Sequence, residues 1–110
     1  MGRSVAVRAA ALRGVEAIPV TVEVSPGGGV PGFIITGGSD NPIFDAAVRV
    51  RCAMRECGFE IPPVRYTVNL APADMKKGGT AYDLAIAVAI LIASGQIPPR
   101  VADGAVFAGE

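Results

Sequence analysis

The sequence predicts an α+β domain, a two-layer α/β sandwich in which two helices cover one face of a β-sheet. Three observations lead to this prediction. Segments with a two-residue hydrophobic repeat precede and separate two segments with a helical repeat, in the order β-β-β-α-β-α-β. The later helical segment is apolar on nearly every side, so most of its surface must be buried. The length of 110 residues suits a single domain, 1–110.

Three strands are predicted in the first part of the chain. Ser4–Leu12 and Ile18–Val24 alternate between apolar and other residues, and Phe33–Thr36 is a short apolar run. The glycines of Pro26–Gly32 join two strands and no lysine follows them, which indicates a turn and not a phosphate-binding loop. These tight connections predict an antiparallel meander and a mainly antiparallel sheet.

The first helix is predicted over Asn41–Cys57, where apolar residues recur at helical spacing. Gly58 follows the last residue of this pattern and is expected to end the helix, because glycine readily adopts the left-handed conformation found there. Asp45 and Arg49 are four positions apart, so a weak ion pair between them is expected on the helix surface.

A fourth strand, a second helix and a fifth strand complete the prediction. Arg65–Leu70 alternates as a strand does, and Tyr82–Ser94 is the helix that is apolar nearly all round. Gly95 is expected to end that helix, and the fifth strand starts at Val106. This last strand stops abruptly within four residues of the final residue, which leads us to expect that the chain is an N-terminal fragment of a longer protein.

Composition excludes several classes of function. Ten basic residues balance ten acidic ones, so strong DNA binding by this chain alone is disfavoured. The two cysteines, Cys52 and Cys57, should project from one helix in different directions and stay unpaired, as in a reducing compartment. The chain has no histidine and no CxxC pair, which argues against a metal site, a structural zinc site in particular. Leu84–Ala93 is too short to span a bilayer, so a cytoplasmic location is expected.

The candidate functional residues lie between the fourth strand and the second helix. This candidate site consists of Asp74, Lys76, Lys77, Gly78, Gly79, Thr80 and Asp83. Glycines before a helix can leave backbone N–H groups free to bind an anion, but a structural loop with solvated lysines is the default interpretation. Asp83 is expected to be a first-turn acid favoured by the helix dipole.

Catalysis at this site has little support from the residues. Asp74 and Asp83 are nine positions apart across a glycine stretch, which is weak evidence for a pair of carboxylates in one pocket. Thr80 as a nucleophile would need an adjacent base, and histidine is absent. No residue is therefore assigned a catalytic role, and no cofactor site is predicted in this chain.

Several motifs in order along the chain resemble the Mg-chelatase-related ComM/YifB family. The most specific is Thr67–Asp74, TVNLAPAD, which is a near-signature of that family. It is preceded by GVPGF at 29–33 and VRVRCAMRECGF at 48–59, and followed by YDLAIA at 82–87 and ASGQI at 93–97. The resemblance covers nearly the whole chain with matching spacing. Gly38-Ser39, Asn41-Pro42 and Ala85 depart from the usual family residues.

The resemblance implies an N-terminal domain similar to the Lon peptidase domain, with the ribosomal S5 domain 2-like fold. An AAA+ ATPase module that uses ATP and Mg²⁺ would follow it in the same polypeptide. By this resemblance the parent protein would be a homo-oligomer, a hexamer, and the ComM branch of the family is linked to DNA branch migration in natural transformation. DNA would be contacted by the full-length assembly and at most weakly by this domain.

The same resemblance places Thr80 at the position of the Lon-type catalytic serine, and the partner lysine would lie beyond Glu110. A non-catalytic scaffolding and interaction domain is therefore the principal hypothesis. The alternative is a Lon-like peptidase-fold domain with residual or lost Ser/Thr-Lys activity, and a weaker hypothesis is a chelatase-associated domain.

Overall fold

The computed structural model describes residues 4–13, 16–36, 41–71 and 82–107. The strands are β1 (Val5–Arg13), β2 (Glu16–Gly27), β3 (Gly32–Thr36), β4 (Arg65–Ala71) and β5 (Val106–Phe107). The helices are α1 (Asn41–Glu56), α2 (Asp83–Ala93) and a 3₁₀ helix, Pro99–Ala102, between α2 and β5. The five strands and two α-helices confirm the mixed α/β class. The sequence pattern did not predict the 3₁₀ helix.

The described residues form one sheet with the strand order β3-β4-β2-β1-β5. The β1–β2 and β2–β4 pairs are antiparallel, whereas the β3–β4 and β1–β5 pairs are parallel. Strand β2 therefore runs opposite to the other four. The predicted meander is wrong at its third strand, because β3 pairs with β4 and not with β2. The antiparallel β1–β2 and β2–β4 pairs contain most of the paired residues, so the sheet is mixed but mainly antiparallel, as predicted.

The position of β4 explains this difference. Strand β4 lies between β2 and β3, with Val68 beside Val24 on one side and Ile35 on the other. Helix α1 joins β3 to β4, and a helical crossover is the connection that parallel neighbours require. The turn after β2 reverses the chain direction, as its glycines indicate, but it also skips one strand position. The glycines predict that the chain reverses direction, but they do not predict which strand lies beside β2.

Alternation along the strands gives the sheet one buried and one exposed face. On β2, Val20, Val22 and Val24 are buried, whereas Thr21 and Glu23 between them are exposed. The valines pair with buried residues on both neighbours, Val7 and Ala9 of β1 and Val68 and Leu70 of β4. The apolar face is therefore continuous across the central strands.

The helices cover this apolar face. Helix α2 packs on β1 and β2, and α1 packs on β3 and on α2. Ile86 and Ile90 of α2 are 1% and 0% exposed, which confirms that this helix is buried on most of its surface. Full burial of such a side chain contributes roughly 1.5–3 kcal/mol. Gly58 and Gly95 follow α1 and α2 at positive φ, as predicted for residues that end helices.

Candidate functional site

The candidate site is attached to the core at both ends. Asp74, Lys76, Lys77, Gly78, Gly79 and Thr80 lie outside the described residues. Before them, β4 ends after Val68 and Leu70, which are both completely buried. After them come Tyr82 and Asp83, which are 4% and 5% exposed. The chain therefore enters and leaves residues 74–80, which we call the candidate segment, from buried positions in the core.

Asp83 is the one predicted site residue that the structure describes, and it is paired with Arg49 of α1. The Arg49 Nε donates to Oδ2 of Asp83 at 2.6 Å, and Nη2 donates to Oδ1 at 3.1 Å. Two parallel bonds of this kind match the planar fork of a guanidinium to both carboxylate oxygens. The side chain of Asp83 is 6% exposed and that of Arg49 is 29% exposed, so the pair lies at the edge of the core.

This pair was not predicted from the sequence, although both residues were noticed. Arg49 was expected to pair with Asp45, four positions earlier on α1, whereas its bidentate partner is 34 positions later. The side chain of Asp45 lies outside the described residues. Asp83 does occupy the first turn of α2, as the helix-dipole argument predicted. A contact across 34 positions has no local spacing signal, so the periodic pattern could not reveal it.

Tyr82, next to Asp83, is a second buried anchor. Burial raises the pKa of its hydroxyl above the ordinary value of 10.0, because the ionised phenolate loses solvation in the core. The group therefore stays neutral at physiological pH. It contributes apolar packing beside the charge-neutralised Arg49–Asp83 pair.

An open groove lies elsewhere in the described part of the chain. The groove, of about 1000 Å³, is bordered by the start of β1, the residues before β4, the end of α2 and the 3₁₀ helix. Strand β4 begins near this groove and ends at the candidate segment. The groove and Asp83 thus lie toward opposite ends of β4 and α2, and Asp83, the predicted site residue that is described, does not line the groove.

Polar side chains in the groove are used for internal contacts. Gln96 accepts a bond from the backbone N–H of Glu60 and donates one to its carbonyl, both at 2.9 Å. The Ser94 hydroxyl donates to the carbonyl of Leu91 at 3.2 Å and accepts from the Gln96 amide at 3.0 Å. This arrangement fastens the segment before β4 to the end of α2. It is the geometry of a structural clamp, since Ser94 has no adjacent base among these partners.

Two further features are the state of the cysteines and the length and apolarity of the helices. Cys52 and Cys57 are exposed and free, as their spacing predicted. No helix within the described ranges is both long enough and apolar enough to cross a membrane.

Comparison with known proteins identifies the class to which this fold and site belong. Residues 21–110 match the family described as subunit ChlI of Mg-chelatase. The chain belongs to this family.

Three curated relatives show the extent of the similarity. The Escherichia coli protein YifB is 43% identical over 97 residues, which cover 88% of this chain and 19% of YifB. The competence protein ComM of Haemophilus influenzae is 46% identical over 84 residues, which cover 76% of this chain and 16% of ComM. An uncharacterized Mycobacterium tuberculosis protein is 34% identical over 110 residues, which cover 100% of this chain and 21% of that protein. The chain thus spans about a fifth of the length of these relatives.

Proposed function

We propose that this chain is a non-catalytic scaffolding and interaction domain of a Mg-chelatase-related AAA+ ATPase. The Arg49–Asp83 pair is the observation that carries this proposal. A carboxylate that acts as a base, nucleophile or ligand needs a free oxygen facing the reacting group. Both oxygens of Asp83 are bound to one guanidinium, and the residue is 5% exposed. Asp83 is therefore used to join two helices.

We infer the role of the candidate segment from the attachment of both its ends to the core. Tyr82 and Asp83 hold its far end on the core, and the buried end of β4 holds its near end. A segment fixed at both ends can present Lys76 and Lys77 as a contact surface for a neighbouring domain or subunit. In this proposal Thr80 is a remnant of a peptidase position in a ribosomal S5 domain 2-like fold, and it catalyses nothing.

The parent protein is proposed to be a DNA-processing motor. Similarity to the competence protein ComM over 76% of this chain supports a role in natural transformation. The chain covers about a fifth of its relatives, which leaves ample length for an ATPase module that would bind ATP and Mg²⁺. Assembly of a homo-oligomer and contact with DNA would then be properties of the whole protein, with this domain contributing subunit contacts.

Two variants of the full-length protein test this proposal. Thr80→Ala is expected to leave any hydrolytic activity on casein and on model peptides at the wild-type level. The double variant Lys76→Glu with Lys77→Glu is expected to weaken oligomer assembly or DNA-stimulated ATPase activity, because it reverses two charges on the contact surface. Light scattering and a phosphate-release assay measure these properties.

The peptidase hypothesis gives the opposite pattern in the same two variants. Loss of a measured peptidase activity in Thr80→Ala, together with normal assembly of the lysine variant, would overturn the scaffolding proposal. Arg100→Glu is a matched charge reversal, because Arg100 is exposed on the 3₁₀ helix, remote in sequence from the candidate segment. This control separates a local contact from a general effect of charge.

A further inference from the structure

The turn between β2 and β3 carries a second concentration of positive charge. Because β4 lies between these two strands, residues 28–31 must pass across the start of β4. Arg65, the first residue of β4, is paired with Gly27 on one side and Gly32 on the other. The arginine therefore lies where the chain crosses from one strand to the next.

The side chain of Arg65 lies against this turn. A Cβ added to Gly29 would be 3.0 Å from Nη1 of Arg65 and 3.2 Å from its Cδ. Gly29 has a φ of +113°, a conformation that residues with side chains rarely adopt. Glycine thus lets the guanidinium approach the backbone closely at one end of the turn.

Arg51 of α1 reaches the other end of the same turn. Its Nη2 is 3.7 Å from the position that a Cβ would take on Gly32. Its guanidinium carbon lies 5.5 Å from the centre of the Phe33 ring, within the range of a cation–π contact. The Nε of Arg51 is buried and has no acceptor among the residues that the structure describes. The aromatic ring holds the guanidinium in place without neutralising its charge.

These two charges are uncompensated within the described ranges. The ion pair found there is Arg49–Asp83, and neither Arg51 nor Arg65 has a carboxylate within bonding distance among those residues. The same turn contains Val30, which is 77% exposed. We call Arg51, Arg65 and the turn segment Gly29–Gly32 the arginine-turn surface. It combines two guanidiniums with one protruding apolar side chain.

We propose that the arginine-turn surface binds a protein surface that presents carboxylates beside an apolar side chain. A guanidinium matches a carboxylate in shape and charge through paired N–H···O bonds. Arginine is also enriched among the residues that dominate the binding energy of protein interfaces. The inference is independent of the proposed function, because binding is measured on this chain alone.

Nucleic-acid phosphate is the competing anion, and the charges argue against it. Tight binding to a phosphate backbone commonly uses about 6–10 phosphate contacts. The arginine-turn surface offers two guanidiniums, and the chain as a whole has a formal net charge of +0. The exposed Val30 of the same turn would also face solvent or charge along a phosphate backbone, whereas a protein partner can cover it.

A titration followed by nuclear magnetic resonance tests the proposal. The probe is the blocked tripeptide N-acetyl-Glu-Leu-Glu-amide, and its matched control has glutamine at both acidic positions. The signals followed are the Nε–H groups of Arg51 and Arg65 and the backbone amides of Val30 and Gly32. We expect saturable shifts with the acidic peptide and about tenfold weaker binding of the glutamine peptide, because the charged bonds are lost.

Single arginine substitutions test where the peptide binds and whether any loss of positive charge weakens binding. Arg51→Gln and Arg65→Gln should each weaken binding about tenfold, whereas Arg100→Gln, at an exposed site on the 3₁₀ helix, should leave it unchanged. The peptide comparison needs no variant, so it remains decisive if Arg51→Gln fails to fold. Equal shifts with both peptides would overturn the proposal. So would tighter binding of a single-stranded DNA oligonucleotide at the same signals.

Discussion

Arg49 and Asp83 are 34 positions apart in the chain, and two N–H···O bonds join them between α1 and the first residue of α2. Asp83 is buried, so its charge depends on the guanidinium for compensation. Breaking such a pair by removing one partner is costly because the other charge stays buried without a counter-charge. The contact therefore couples the position of the candidate segment to the packing of the two helices.

Arg49→Gln should lower the free energy of unfolding by about 2–3 kcal/mol, since it leaves the Asp83 carboxylate uncompensated. Urea unfolding followed by circular dichroism measures this change. Asp83→Asn removes the buried charge itself, so the double variant should be less destabilised than the sum of the two single variants. Arg55→Gln, at an exposed site in the last turn of α1, is the matched control and should change stability by about 0.5 kcal/mol or less. Additive effects in the double variant would show that the two residues are not coupled.

The two tyrosines give the protein a defined response to alkaline pH. Tyr66 and Tyr82 are the two tyrosines of the chain, which has no tryptophan. Burial raises the pKa of each hydroxyl above 10.0, so the folded state keeps protons that the unfolded chain releases near that pH. Because the folded-state pKa is the higher one, the associated stability is present below pH 10.0 and is lost as pH rises through the folded value.

We therefore expect the midpoint of urea unfolding to fall above about pH 10. Tyrosinate absorbance in the native protein should increase only at higher pH than in the urea-unfolded chain. Tyr66→Phe and Tyr82→Phe should each reduce the alkaline loss of stability, because phenylalanine has no proton to release. Native tyrosines that titrate together with those of the unfolded chain would contradict the burial argument.

The predictable part of this fold is the part that local pattern determines. The alternation of Val20, Val22 and Val24 identified a strand with one buried face, and the continuous apolar run of α2 identified a buried helix. The strand order could not be predicted from these local patterns. Whether β3 pairs with β2 or β4 depends on where α1 packs, and that is decided by contacts between residues distant in the chain.

In the candidate site, too, local sequence predicts some features, and others depend on contacts between residues distant in the chain. Asp83 was found because an acid in the first turn of a helix has a local physical reason. Its partner Arg49, and the contacts of Arg51 and Arg65 with the turn, arise only when separate elements are brought together. The glycines of that turn were correctly interpreted as a connection between strands. The second role of Gly29, which allows the Arg65 guanidinium to approach closely, has no signature in the spacing of the glycines.

Gln96 should contribute to stability through its two bonds to the backbone of Glu60. Gln96→Ala removes both bonds, and the bond to the Ser94 hydroxyl, in a partly solvated place, so we expect a loss of about 1 kcal/mol in the free energy of unfolding. Hydrogen exchange at the Glu60 amide should accelerate in the same variant. Gln96→Glu keeps an acceptor for that amide but loses the donor to the carbonyl, so its exchange rate should lie between those of wild type and Gln96→Ala. Unchanged exchange in Gln96→Ala would show that the clamp is not formed in solution.

Neighbouring glycines in the β2–β3 turn should respond differently to the same substitution. At Gly29, φ is +113° and an added Cβ would lie 3.0 Å from Nη1 of Arg65, so alanine must either strain the backbone or displace the guanidinium. Gly29→Ala should therefore destabilise the protein by about 1–2 kcal/mol. At Gly28 an added Cβ would meet nothing within 4 Å, and its φ is not in the positive region.

Gly28→Ala is thus the matched control, with the same change in composition one position earlier. It should be neutral or stabilising by up to about 1 kcal/mol, because alanine restricts the unfolded chain more than glycine does. Thermal unfolding of the two variants under the same conditions tests whether Gly29→Ala is the less stable. Gly29→Ala should also shift the Arg65 Nε–H resonance, whereas Gly28→Ala should not, because the displaced group is that guanidinium. Equal stability of the two variants, with no shift at Arg65, would mean that the arginine does not lie against the turn in solution.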